Sequence, residues 1–126
     1  MNSAARATLV TALQQYFSIP GDEAALVLDE FEPCVCRGGD WLFRQGDAAD
    51  CLFLLARGRM QVWLAQSNGQ EPGERLVAEV NPGETIGEIG MLTGGARSAS
   101  IRAVRNSLLL RMTSAAFDRL ARQRPD

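Results

Sequence analysis

Between Phe31 and Met112 the chain is cut into short β-prone runs by glycine and acidic turns, and this cadence constrains its fold more than any other property. The runs are Phe31 to Arg37, Trp41 to Arg44, Cys51 to Arg57, Met60 to Gln66, Arg75 to Val80, Ser98 to Val104 and Ser107 to Met112. Between them lie Gly38-Gly39-Asp40, Gln45-Gly46-Asp47, Arg57-Gly58-Arg59, the polar stretch Ser67 to Gly73, and Asn81-Pro82-Gly83, each a turn signal. Short strands at this spacing build a sandwich, a barrel or a jelly roll. The expected class is mainly β, with flanking helices.

The flanks read differently. From Ala4 to Phe17, the positions Leu9, Val10, Leu13, Tyr16 and Phe17 recur every three or four residues and form one helical face. Pro20-Gly21 breaks that pattern. Asp22 and Glu23 then suit the first turn of a second helix carrying Ala24, Ala25 and Leu28, with Glu30 solvated beyond it. At the other end Thr113-Ser114 caps an amphipathic segment bearing Ala115, Ala116, Phe117, Leu120 and Ala121, which Pro125 stops. The expected layout is therefore one domain over 1–126, with helices over about 4–30, a β-roll over about 31–112 and a C-terminal helix over about 113–123. The polar segment Gln66 to Glu74 is expected to be its mobile hairpin tip.

Composition removes several function classes. The chain contains no histidine, which excludes Ser-His-Asp and Cys-His nucleophilic catalysis, the common zinc ligand sets and histidine-ligated haem. A regulatory or binding role is expected instead of an enzyme. The net charge of -2 lacks the positive field of a nucleic-acid binder, so no direct nucleic-acid binding is expected. All 13 basic residues are arginine, so only its spacing to other groups promotes one of them. No apolar run approaches the roughly eighteen residues of a membrane span, and the N-terminus lacks the pattern of a secretory signal. A cytoplasmic location with three reduced cysteines, Cys34, Cys36 and Cys51, is the expectation. Cys34 and Cys36 share one face of a strand without further ligands nearby, which favours packing over metal binding. Trp41 and Trp63 are read as packing residues, and Arg119, Arg122 and Arg124 as a solvated helix face.

One segment carries more than turn chemistry. In Gly83-Glu84-Thr85-Ile86-Gly87-Glu88-Ile89-Gly90-Met91-Leu92-Thr93-Gly94-Gly95-Ala96-Arg97-Ser98-Ala99, glycines cluster around Glu88 and, nine residues on, Arg97. Glycines permit close approach of a backbone and positive φ; an arginine fork clasps a phosphate through two parallel hydrogen bonds; a carboxylate accepts from a sugar hydroxyl. A turn of helix at Gly87 to Leu92 would add free N–H groups and a positive dipole end. Phosphate plus ribose is the ligand chemistry these parts suit. Taken alone, the same glycines also serve as ordinary turns, with Glu88 a first-turn charge and Arg97 solvated.

The stretch Pro82 to Ala103 resembles the phosphate-binding cassette of the cyclic-nucleotide-binding domains of catabolite activator proteins, protein kinase A regulatory subunits and cyclic-nucleotide-gated channels. The matching residues are Gly87-Glu88, Gly90, Met91-Leu92 and Arg97-Ser98-Ala99. Upstream, Gly39 to Asp47 and Leu52 to Val62 resemble the family's turn-strand-turn and the strand pair after it, so about two thirds of the chain is covered. The resemblance implies an eight-stranded β-roll of jelly-roll (double-stranded β-helix) type. It implies that Arg97 binds the exocyclic phosphate oxygens and Glu88 the ribose 2′-hydroxyl, with Gly87 near the ribose. Ser98 and the N–H groups of Ile89, Gly90 and Ala99 would surround phosphate and ribose, and Val77 and Met91 are the candidates for base contacts.

The implied ligand is cAMP, with cGMP compatible through the Ser98 hydroxyl, and no cofactor is implied. The implied role is a regulatory sensor module, a piece of a larger protein whose effector domain it controls, with a homodimer compatible. The family's lid helix and any output domain are not found before Asp126, and Ile86 stands where the family usually has an aromatic residue. A nucleotide-free interaction or dimerisation domain that keeps the β-roll is the alternative reading.

Overall fold

The computed structural model describes residues 3–66, 73–87, 90–91 and 94–123. Two helices, α1 (Ser3–Phe17) and α2 (Gly21–Leu28), precede eight strands and a closing helix. The strands are β1 (Glu32–Cys36), β2 (Trp41–Phe43), β3 (Cys51–Arg57), β4 (Met60–Gln66), β5 (Gly73–Val80), β6 (Thr85–Ile86), β7 (Ser100–Ala103) and β8 (Ser107–Thr113). The closing helix, α3, spans Ser114–Gln123. All pairings are antiparallel, in two four-stranded sheets ordered β1-β8-β3-β6 and β2-β7-β4-β5. This is the β-roll that the turn cadence and the resemblance anticipate.

Why β3 is apolar on every residue from Cys51 to Leu55 follows from its two neighbours. Cys51, Phe53 and Leu55 point between the sheets and pack with Met60, Ile101 and Leu109. Leu52 and Leu54 point the other way, onto Leu9, Leu13, Val27 and Leu28 of the N-terminal helices. A strand covered on both faces loses the usual polar alternation. β8 behaves alike, with Leu109 inward and Leu110 and Met112 under the helices. Half of the core therefore lies between the sheets and half between one sheet and the helices.

The ends of the helices match their sequence signals. Ser18 takes φ 56 and Pro20 stands before α2, whose first turn carries Asp22 and Glu23. Thr113 Oγ1 accepts the Ala116 N–H at 3.1 Å, the expected cap of α3. Glu30, expected to be solvated, instead pairs with Arg119 of α3 at 2.6 Å, so both arms of the chain are tied at the surface. Only β3 and β4 keep their expected bounds: β1 and β7 are shorter at both ends, β2 stops one residue early, β5 begins at Gly73, β8 runs on to Thr113, and β6 is a strand not anticipated at all. Two residues are too few to show a period, and β6 exists because β3 offers it a partner, Phe53 to Ile86 and Leu54 to Thr85. The β4–β5 ladder runs out to Gln66 opposite Gly73; Ser67 to Pro72, the core of the expected mobile tip, lies outside the described residues.

The three cysteines are free thiols. Burial raises the pKa of Cys34 and Cys36 and keeps both neutral. Among the described residues there is no cluster of side chains able to hold a metal ion, and no helix is long and apolar enough to cross a membrane.

Candidate functional site

The site is assembled by two turns that meet between the sheets. In the first, Gly83 at φ 92 closes the Asn81-Pro82-Gly83 bend, and Glu84 Oε1 accepts the Asn81 N–H at 2.7 Å. Gly83 donates to Leu55 O at 2.8 Å and Leu55 donates to Glu84 O at 3.0 Å, which pins the start of β6 against β3. Gly87 then turns the chain at φ 79, a conformation that costs any residue with a Cβ.

The second turn is the mount for Arg97. Gly46 takes φ 95, and Asp47 Oδ2 accepts the Arg44 N–H at 2.9 Å, folding Arg44 to Asp47 into a tight loop. That loop holds the backbone of Arg97 on both sides: the Arg97 N–H donates to Asp47 O at 2.8 Å, and Gly46 N–H donates to Arg97 O at 2.9 Å. Ala49 adds a bond to Gly95 O at 3.2 Å, and Ala48 bridges Ala96. The Gln45-Gly46-Asp47 turn, read from sequence as a strand break, thus positions the arginine.

The side chain of Arg97 runs inward and is only 4% exposed. Its Nη1 donates to Gly87 O at 3.0 Å; its Nη2 donates to Cys51 O at 2.8 Å and lies 3.3 Å from Cys51 Sγ. The guanidinium carbon lies over the Phe43 ring, 4.3 Å from its centroid. Nε has no hydrogen-bond partner, and among the described residues no carboxylate forms an ion pair with this arginine. A buried charge without a counter-charge is expensive, which makes the place one that attracts an anion. The Cys51 sulfur also raises the pKa of Arg111, chiefly through a side-chain hydrogen bond.

Arg97 opens onto a cavity of about 210 Å³. Phe43, Val62, Val80, Ile86 and Ile101 form its apolar wall, and Thr85, Gly87, Gly90, Ser98 and Ala99 its polar and backbone side. Of the residues singled out in sequence, Gly87, Gly90, Arg97, Ser98 and Ala99 therefore share one cavity. Gly90 is required for closeness, since a Cβ there would stand 2.8 Å from that of Ala49. Glu88 and Ile89 lie outside the described residues.

Val77 and Met91 are placed elsewhere than on the cavity wall. The β4–β5 register jumps from Val62 opposite Ala78 to Trp63 opposite Leu76, so Val77 is the extra residue of a bulge and is 39% exposed. Met91 is 5% exposed and packs in the helix-side core with Leu52, Leu54 and Met112. The apolar wall of the cavity includes instead Val62, Val80, Ile86 and Ile101, which sequence reading passed over as strand interior. The signal that marks one of them is alternation: Val62, like Met60, faces inward while Gln61 faces out. Trp41 and Trp63 lie off the cavity. Trp41 carries the guanidinium groups of Arg44 and Arg102 at 4.1 and 5.2 Å, and Trp63 Nε1 donates to Gln61 Oε1.

Comparison with known proteins agrees with this geometry. The family model for the cyclic nucleotide-binding domain matches residues 34–124. The cyclic AMP receptor protein of Thermus thermophilus is 33% identical over 110 residues, which are 87% of this chain and 50% of that protein. The crystal structure of the catabolite activator protein from the same organism superposes with a TM-score of 0.79. Lysophospholipase nte1 of Neurospora crassa is 34% identical over 88 residues, 70% of this chain but 6% of that protein. A cyclic nucleotide-binding domain from Methylobacillus flagellatus, at 23% identity, shares the fold with a TM-score of 0.82 over 97% of this chain and 67% of its own. The chain thus spans half or much less of the curated relatives it matches.

Proposed function

The chain belongs to the cyclic nucleotide-binding domain family, and from that membership we propose that its cavity binds a cyclic mononucleotide, cAMP in first place, as a signal to an effector domain of a larger protein. The observation that carries the reading is Arg97: a residue only 4% exposed, with an unpartnered Nε, lining an otherwise largely apolar cavity. An anion supplies the missing charge, and the apolar wall suits a base.

In this reading Arg97 clasps the phosphate, the backbone at Gly87, Gly90 and Ala99 lines phosphate and ribose, Ser98 adds a hydroxyl, and Glu88 and Ile89 complete the cassette. The Thermus relative is a cyclic AMP receptor protein, which supports cAMP over cGMP. The relatives do not agree on an effector, since one is a receptor protein and another a lysophospholipase. A ligand acts on an effector through its differential affinity for two states.

Isothermal titration of the chain with cAMP, cGMP and 5′-AMP tests the proposal, with Arg97→Ala as control. Two charge-assisted hydrogen bonds at about 1.5–3 kcal/mol each predict that Arg97→Ala weakens binding by roughly 10²–10⁴-fold. Absence of heat with every nucleotide at millimolar concentration refutes it and leaves a nucleotide-free interaction domain.

A further inference from the structure

We propose that Phe43 is a positioning residue of this site, whose ring seats the Arg97 guanidinium and thereby sets the affinity for the phosphate group. The inference rests on the cavity being the nucleotide site.

The geometry around the guanidinium separates what holds it from what it offers. Arginine carries five N–H donors. Contacts to Gly87 O, Cys51 O and Cys51 Sγ use three of them, one from Nη1 and two from Nη2. Nε–H, itself buried, and the second Nη1 proton are left without a protein partner among the described residues. A carboxylate in the place of Phe43 would hold the cation as firmly but would take those donors and cancel the charge. An aromatic face attracts the cation through its quadrupole and takes no N–H.

Phe43 is built for this seat. The β2–β7 pairing is irregular between Trp41 and Phe43, which sets Phe43 opposite Ile101 on the cavity side. Its ring rests on Phe53, centroids 6.1 Å apart and tilted by 31°, so it is backed by a second aromatic 5.9 Å from the same guanidinium carbon. Arg44, the next residue, does not compete, because it lies over Trp41 and pairs with Glu74 at 2.8 Å.

The test compares cAMP affinity by titration calorimetry in the wild type, in Phe43→Leu and in a protein with 3,5-difluorophenylalanine incorporated at position 43, each with its thermal midpoint. Fluorination drains the ring quadrupole and nearly preserves shape, so a purely structural Phe43 would leave binding unmoved. The expected result is binding about tenfold weaker in Phe43→Leu and several-fold weaker in the fluorinated protein, whose midpoint stays at that of the wild type. Wild-type affinity in the fluorinated protein overturns the inference while leaving the nucleotide site intact, and it does so even where Phe43→Leu fails to fold. Absence of binding by the wild type overturns the proposed function and this inference with it.

Discussion

Replacing Gly87 by alanine probes the contact on which the whole site turns. Gly87 sits at φ 79, and a Cβ built there collides with Arg97 Nη1. Two costs follow. The backbone conformation alone costs an L-residue about 1–2 kcal/mol. The displaced guanidinium then gives up its 3.0 Å bond to Gly87 O and its place over Phe43, a further loss on the order of 1–3 kcal/mol. Gly87→Ala is therefore expected to destabilise the wild type by about 2–5 kcal/mol, but the Arg97→Ala protein by only the 1–2 kcal/mol of backbone strain. Urea unfolding of the four proteins of this double-mutant cycle measures the difference, which is expected to exceed about 1 kcal/mol. Titration with cAMP adds a second readout, in which Gly87→Ala loses at least about tenfold in affinity. A coupling energy under about 0.5 kcal/mol, with cAMP affinity retained, refutes the claim that the missing Cβ makes room for the arginine.

Two other expectations concern the scaffold. Leu54 is fully buried at 0% exposure between the strand and the helices, so Leu54→Ala is expected to cost about 2–5 kcal/mol in urea unfolding and to release α1 and α2 first in hydrogen exchange. Burial raises Cys34 and Cys36 above the ordinary thiol pKa of 9.0, so the folded state keeps protons that the unfolded chain has lost. Stability due to them is complete below pH 9 and falls as pH rises past it; unfolding under reducing conditions at pH 8 and pH 10.5 is expected to show this fall shrinking in a Cys34→Ala, Cys36→Ala protein.

The comparison of Val77 with Val62 shows where reading a chain one segment at a time stops. Both are valines in adjacent strands; alternation around Gln61 marks Val62, but the unbroken run Leu76-Val77-Ala78 carries no alternation to say which face Val77 takes. The bulge opposite Val62 and Trp63 decides it, by shifting every later residue of β5 to the other face, and a bulge is a property of two paired strands. Met91 is similar: an apolar residue inside a glycine-rich segment serves a ligand or a core equally well until the helices that cover it are in place. Arg97 was legible because its neighbours are unusual; Phe43, which holds it, was not, because an aromatic residue in a short strand has many ordinary uses.

What the amino-acid order determined by itself is local. Turn residues with their positive φ, caps such as Thr113, the helical spacing of Leu9 and Leu13, and the glycine-framed arginine are each set by sterics and hydrogen bonding within a few residues, and these suffice for a β-roll with helical flanks and a candidate anion site. The tertiary structure alone decided that β3 is buried on both faces, that the two-residue β6 exists, that the Gly46-Asp47 loop carries Arg97, and that its guanidinium rests on Phe43 and Cys51. Those contacts join residues far apart in the chain, Arg97 and Cys51 by 46 positions, and their free energy appears only when the sheets close; no local preference encodes it.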